Sequence, residues 1–384
     1  MRRLVLVLLV MALAGLGYWL WRQEEPPATG RFSVQGLLGG ALEDYARADR
    51  VRPLRFPRDH GAHPDYRSEW WYLTGNLEDE AGRRYGFQFT IFRLALSPQP
   101  RPGSSAWGTR QAYMGHFAVT DVAGGGFYAF ERFSRGALGL AGGEAQPFRV
   151  WLHDWQLRAQ DDGSWPWLLQ AAEADVELRL ELEARKPLAL QGERGLSRKG
   201  PEPGNASYYY SFTNLAAAGE LRLGEKWLRV SGTAWLDREW STSLLSPEVQ
   251  GWDWFALQLD DGSEFMLYQL RAEDGIVEEF GAGLYVPPEG EPRVLDGRQF
   301  RLEPIAHWTS PRTRTVYPIV WRAQIPDLQA TLRIEAAIPN QELDLSVRYW
   351  EGAVDVHGSL RQRTVQGRGY LEMTGYGGDR PPSR

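Results

Sequence analysis

The segment AWLDREWS, Ala234 to Ser241, sets two carboxyl groups among indoles. In extended backbone the side chains alternate between faces, so Trp235, Asp237 and Glu239 share one side of a strand. A carboxyl held in an apolar aromatic pocket has its pKa raised and stays protonated near neutrality, where it can act as an acid. Protonating a carbon–carbon double bond makes a carbocation, which the ring faces of Trp and Tyr stabilise. Capture of water then yields an alcohol.

A second acid lies among aromatics in SEWWY, where Glu69 precedes Trp70, Trp71 and Tyr72, and GWDWF supplies Trp252 and Trp254. For acid catalysis Asp237 or Glu239 is the expected proton donor and Glu69 a second acid or orienting group. Tyr72 and His116 would position polar atoms, and Trp70, Trp71 and Trp235 would wall the cation. Trp252 and Trp254 join them as ligand-binding candidates. The competing reading is structural: Glu69, Asp237 and Glu239 pair with Arg67, Arg93 or Arg238 to close barrel ends, and the tryptophans fill barrels.

His60 and His63, with Asp59, Asp65 and Glu69 nearby, have metal-ligating chemistry, but the spacing His-Gly-Ala-His is not a diagnostic pattern. Histidines that hydrogen-bond and cap a barrel end are expected there, with no metal. There is no HExxH helix, GxSxG elbow, P-loop or dinucleotide fingerprint, so serine-hydrolase and nucleotide-dependent chemistry lose their support. If the chain is an enzyme, cofactor-free acid catalysis is expected.

These residues must be carried by strands, because from Phe56 onward the apolar pattern has period two. Tyr85, Phe87, Phe89 and Ile91 fall on one face of a hairpin that turns at Gly82. DVELRLELEAR alternates throughout, and WFALQLDDGSEFMLYQL turns at Asp261-Gly262. Further strands are expected at LRVSGTAWLD, ATLRIEAAI and ELDLSVRYW. With 384 residues, 17 Trp and 42 Gly, such a chain suits two wide-sheet domains better than one helical bundle. The expected fold class is all-β, two lipocalin-like antiparallel β-barrel domains after an N-terminal hydrophobic segment. The expected divisions are a linker over 23–55, a first barrel over 56–236 and a second over 237–378.

Arg2 and Arg3 precede an apolar run from Leu4 to Trp21, followed by an acidic, proline-rich turn. Residues 1–22 read as either a cleaved signal peptide or an uncleaved membrane anchor, and both place the remainder in the periplasm or another extracytoplasmic space. Cysteine is absent, which excludes disulfides and thiolate chemistry. A net charge of -6 without a basic block argues against nucleic acid as a partner.

The blocks FPRDHGAHPDYRSEWWYLTGNL, YGFQFTIFR, MGHFAVTD, VSGTAWLDREWS, GWDWFALQLDDG, YWEGAVDVHGS and GRGYLEMTGY occur in that order. Together they resemble the AttH-like family that includes hydroxyneurosporene synthase, a carotenoid 1,2-hydratase, from about Phe56 to Tyr376. The resemblance implies paired lipocalin-like barrels with a ligand cavity in or between them, and relatives that handle large apolar polyenes. It also implies exported relatives associated with membrane transporters. Where the family block often has histidine, this sequence has Arg238. The expected function is an exported protein that binds an apolar isoprenoid or lipid, with acid-catalysed hydration of a double bond as its enzymatic form. The alternative is a non-catalytic partner that hands lipid or lipoprotein to an ABC-type transporter. A carbohydrate-active enzyme ranks last.

Overall fold

The computed structural model describes residues 44–98, 108–243, 245, 246, 248–273 and 275–377. The segment 1–22 read as a signal or anchor lies outside the described residues, as does most of the expected linker.

The first half of the chain forms one curled antiparallel sheet. It begins with a meander of β1 (Ser68–Asp79), β2 (Arg84–Ala95), β3 (Gln111–Asp121) and β4 (Gly126–Arg135). A second meander follows through β5 (Ala141–Ala145), β6 (Phe148–Leu152), β7 (Trp155–Arg158), β8 (Trp167–Glu173) and β9 (Val176–Ala184). The short β10 (Ala189–Leu190) and β11 (Leu196–Arg198) lead into the long hairpin of β12 (Ala206–Leu223) and β13 (Lys226–Ser241). That hairpin joins the meanders in the order β4-β3-β2-β1-β13-β12-β9-β8-β7-β6-β5.

The second sheet uses β14 (Val249–Leu259), β15 (Glu264–Ala272), β16 (Gly275–Val286), β17 (Arg293–Asp296), β18 (Arg301–Thr309) and β19 (Val316–Ile325). It is completed by β20 (Ala330–Ala336), β21 (Glu342–Asp344), β22 (Arg348–Leu360) and β23 (Arg363–Thr374). Its order is β17-β16-β15-β14-β23-β22-β20-β19-β18, with β21 beside β22. In each sheet the two edge strands are consecutive in the chain, so curling brings the edges round to each other and leaves little open edge.

The alternation read in β9 is visible directly. Leu178, Leu180 and Leu182 are buried in the first barrel, and Arg179, Glu181 and Glu183 are exposed. Tyr85, Phe87, Phe89 and Ile91 fill the same core. The hairpin turns use Gly82 (φ +74°) and Gly262 (φ +82°), conformations that cost glycine nothing. ELDLSVRYW is not one strand: it breaks at 345–347 between β21 and β22.

The boundary expected between residues 236 and 237 falls inside β13, which stays in the first sheet to Ser241; the chain changes sheet before Val249. The described end of the expected linker is also packed onto the first barrel. Ala48 is fully buried in its core, and Tyr208 donates to the Arg50 carbonyl at 2.8 Å.

The barrels pack outer face to outer face. Tyr72, Tyr209 and Trp235 of the first sheet share a buried cluster with Trp254, Met266, Tyr268 and Tyr370 of the second. Strands β1, β2, β3 and β13 are therefore buried on both faces over much of their length. Apolar area removed from water there and a row of cross-barrel hydrogen bonds hold the halves together. Lys186 reaches Glu264 at 2.7 Å, and Asn76 donates to the Gly369 carbonyl at 3.1 Å.

Candidate active site

The register of β1 on β13 decides which acids meet. Trp70 opposes Glu239, Trp71 opposes Arg238 and Tyr72 opposes Asp237. Alternation then sorts them: Trp70, Tyr72, Asp237 and Glu239 face the second barrel, whereas Glu69, Trp71 and Arg238 face the interior of the first.

Between the barrels is a small, partly open pocket. Trp70, Tyr72, Phe92 and Tyr209 contribute from the first sheet, and Trp252, Trp254, Tyr268 and Leu270 from the second. Three carboxyls reach it, Asp237, Glu239 and Glu372, with a single ammonium, Lys199. An apolar enclosure with a few convergent polar groups is the usual form of a small-molecule site.

Asp237 is buried and accepts from Ser211 Oγ at 2.5 Å, from Trp235 Nε1 at 2.7 Å and from the Tyr209 hydroxyl. Burial raises its pKa, the three donors work against that, and the nearby Glu239 adds to it, leaving it at about 7. Tyr209 also accepts from Trp254 Nε1 at 3.3 Å, so a second-sheet indole helps fix the phenol that holds the acid.

Glu239 accepts from Ser207 and lies 3.4 Å from Lys199 Nζ. Burial disfavours the Lys199 ammonium, but Glu239 and Tyr268 outweigh that and its pKa is raised. The ammonium sits 4.0 Å from the Tyr268 ring centroid.

Glu372 was not among the residues singled out in the sequence. Burial and the charges of Asp237 and Glu239 lift its pKa to about 8, against a hydrogen bond from Trp252. Behind it, Glu351 accepts from the Tyr72 hydroxyl at 2.6 Å, and burial and Glu372 push its pKa well up. Four carboxyls thus share one buried region with one ammonium, and Coulomb repulsion in a low-dielectric site keeps part of them protonated.

The signal for Glu351 and Glu372 was present. Each is a lone carboxyl in an apolar strand, in YWEGAV and GYLEMT, where Leu371 and Met373 face the second core and Glu372 the other way. Lys199 carried no such signal, since the stretch before β12 is polar and rich in Pro and Gly.

Glu69 lies away from the pocket. It is fully buried between Arg93 and Arg238, with His63 Nδ1 at 3.2 Å. Burial alone would raise its pKa, but Arg238 and Arg93 hold it well below the usual range. That is an ionised network of the kind expected at a barrel end. Arg238 belongs to the same network and stacks 4.0 Å over Trp71, so the residue between Asp237 and Glu239 in sequence does not stand between them in space.

Trp71 likewise faces the first core and donates to the His60 carbonyl at 2.8 Å. Trp235 orients Asp237, and His116 sits behind the pocket, bonded to Tyr349 and Glu131. His63 is stacked on Trp240 at 3.9 Å, and His60 is bonded to the Tyr210 hydroxyl at 2.6 Å. No group of three metal-ligating side chains gathers among the described residues.

Residues 47–376 match the model of the AttH-like family. A crystal structure of an AttH protein from Nitrosomonas europaea is 36% identical, covers 86% of this chain and 99% of its own, and superposes with a TM-score of 0.76. The kievitone hydratase of Nectria haematococca is 14% identical, covers 88% of this chain and 97% of its own, with a TM-score of 0.65, a likeness of fold. No curated protein matches the sequence.

Proposed function

The chain belongs to the AttH-like family, and from that premise we propose an acid-catalysed hydratase. It binds the reacting end of an isoprenoid- or lipid-like molecule between the barrels and adds water to a carbon–carbon double bond. The observation that carries this reading is Asp237, a buried acid poised near neutrality in a pocket walled by Trp70, Trp252 and Trp254. The name of one fold relative, a hydratase, agrees with it.

Asp237 gives its proton to one alkene carbon, and the neighbouring carbon becomes a cation facing indole and phenol rings. Water forms the new C–O bond and loses a proton to Glu239, whose place two residues along β13 puts it on the same face. A proton returned from Glu239 to Asp237 restores both groups. Tyr209 and Trp235 act by positioning Asp237, and no cofactor is required.

The export reading of residues 1–22 places this chemistry outside the cytoplasm, at or near the membrane that supplies apolar substrates. The apolar run Leu4–Trp21 also favours a second reading, a tethered carrier that presents lipid or lipoprotein to a transporter without chemistry. The test is native mass spectrometry and organic extraction of the full chain from its source cells, then incubation of any retained alkene with isotopically labelled water. Label incorporated as a hydroxyl by wild type, but not by Asp237→Asn or Glu239→Gln that still bind the molecule, supports the hydratase. Binding without incorporation in wild type supports the carrier.

A further inference from the structure

We propose that Glu351, Tyr349, His116 and Glu131 form a proton path linking the pocket carboxyls to solvent at Glu131. The proposal rests on the reading of the pocket as a site of proton chemistry, and it adds a route by which that chemistry exchanges protons with bulk water.

Every group on the path can both give and take a proton, and the two links at His116 are short hydrogen bonds. Glu351 and Glu372 are cross-strand partners on β22 and β23. Tyr349 lies two residues before Glu351 on the same face of β22, and the two side chains interact. The Tyr349 hydroxyl is 2.6 Å from His116 Nδ1, and His116 Nε2 is 2.9 Å from Glu131 Oε1. Only the last group meets water: His116 is 1% exposed, while the Glu131 side chain is 14% exposed and is held by Ser346 Oγ at 2.6 Å. Phe92 packs edge-on against the imidazole and keeps that flank dry.

One atom sets this chain apart from a polar bridge between β3 and β22. Among the described residues Glu351 Oε2 is buried without a hydrogen-bond partner, although its fellow oxygen accepts from Tyr72. A bare carboxylate oxygen there is costly, whereas a protonated one can donate. A proton enters at Glu131, His116 takes it at Nε2 and gives its Nδ1 proton to the Tyr349 oxygen, and Tyr349 passes its own to Glu351. The imidazole ends in its other tautomer until the chain turns back.

The test needs no substrate. The carboxylic C=O band of Glu351 is assigned in the infrared by its loss in Glu351→Gln, and its isotope shift is followed after rapid mixing of the full chain into D2O. Wild type is expected to exchange fast, and His116→Phe and Tyr349→Phe slower by on the order of tenfold or more. Glu131→Gln, at the exposed end, gives a smaller slowing in a variant with little cause to misfold. Equal rates in wild type and Glu131→Gln, or no protonated Glu351 band, overturn the proposal. Asp237→Asn separates this proposal from the hydratase reading: it is expected to leave the exchange rate unchanged while removing turnover.

Discussion

Glu351 and Glu372 stand directly opposite each other across β22 and β23, two carboxyls on one buried face of the second barrel. Glu372 is raised from 4.5 to about 8, and Asp237 across the pocket from 3.8 to about 7. Groups with raised folded pKa values stabilise the fold fully below their unfolded values, and that stability is lost as pH rises through the folded values. Stability should therefore fall between about pH 5 and 8. In Glu372→Gln the decline should be shallower by up to about 1.4 kcal/mol per pH unit, one proton's worth. Denaturant midpoints across that range check it, and an unchanged slope means that Glu372 is ionised in the folded protein.

The acid limb has the opposite sign. Glu69 is held far below its ordinary value by Arg238 and Arg93, so the stability it contributes is present above about pH 4.5 and lost as pH falls through its folded pKa. Glu69→Ala leaves two buried guanidiniums without their shared carboxylate, a loss on the order of 3–5 kcal/mol. Thermal melts should show it at neutral pH, while ligand affinity of the folded fraction stays near wild type. A Glu69 variant that melts like wild type yet loses turnover would reverse the structural assignment.

For the proposed hydration, Asp237→Asn removes the donor and keeps the shape. Turnover should drop on the order of 10²–10⁴-fold with ligand affinity changed little, since general acid catalysis is worth about that much. The rate in wild type should decline as pH rises through about 7, where Asp237 gives up its proton. A rate that keeps rising through neutrality assigns the proton to another group, with Glu372 the next candidate.

How far the sequence could go is visible in β13. Strand alternation was enough to put Trp235, Asp237 and Glu239 on one face, because β13 runs without a break from Lys226 to Ser241. Alternation could not say which face looks toward a ligand, because β1 and β13 are buried on both sides, one by the first barrel's core and the other by the second barrel. Glu69 and Asp237 therefore looked alike as acids beside indoles, and only the packing of the barrels separates an ion-pair anchor from a pocket acid. Lys199 was legible least of all. Its polar neighbours signal solvent, and its burial comes from Tyr209, Glu239 and Tyr268, none of them near it in pattern.

The adjacent pair Trp70 and Trp71 turns that ambiguity into a measurement. Trp70 is half-buried, opposes Glu239 and lines the inter-barrel pocket; Trp71 is fully buried in the first core, with Arg238 stacked on it and its indole N–H bonded to the His60 carbonyl. Truncating Trp71 to alanine should cost on the order of 3–5 kcal/mol of stability, because it empties a close-packed core and removes the shorter of the two hydrogen bonds to the His60 carbonyl, leaving Arg238 Nε at 3.4 Å. Truncating Trp70 should cost the fold much less and weaken binding of an apolar ligand by roughly tenfold or more, the loss of an aromatic wall. Paired melts and fluorescence titrations of the two variants check both halves. If Trp71→Ala is the one that loses ligand while remaining stable, the binding site lies inside the first barrel, and Asp237 is left facing the wrong cavity for the chemistry proposed.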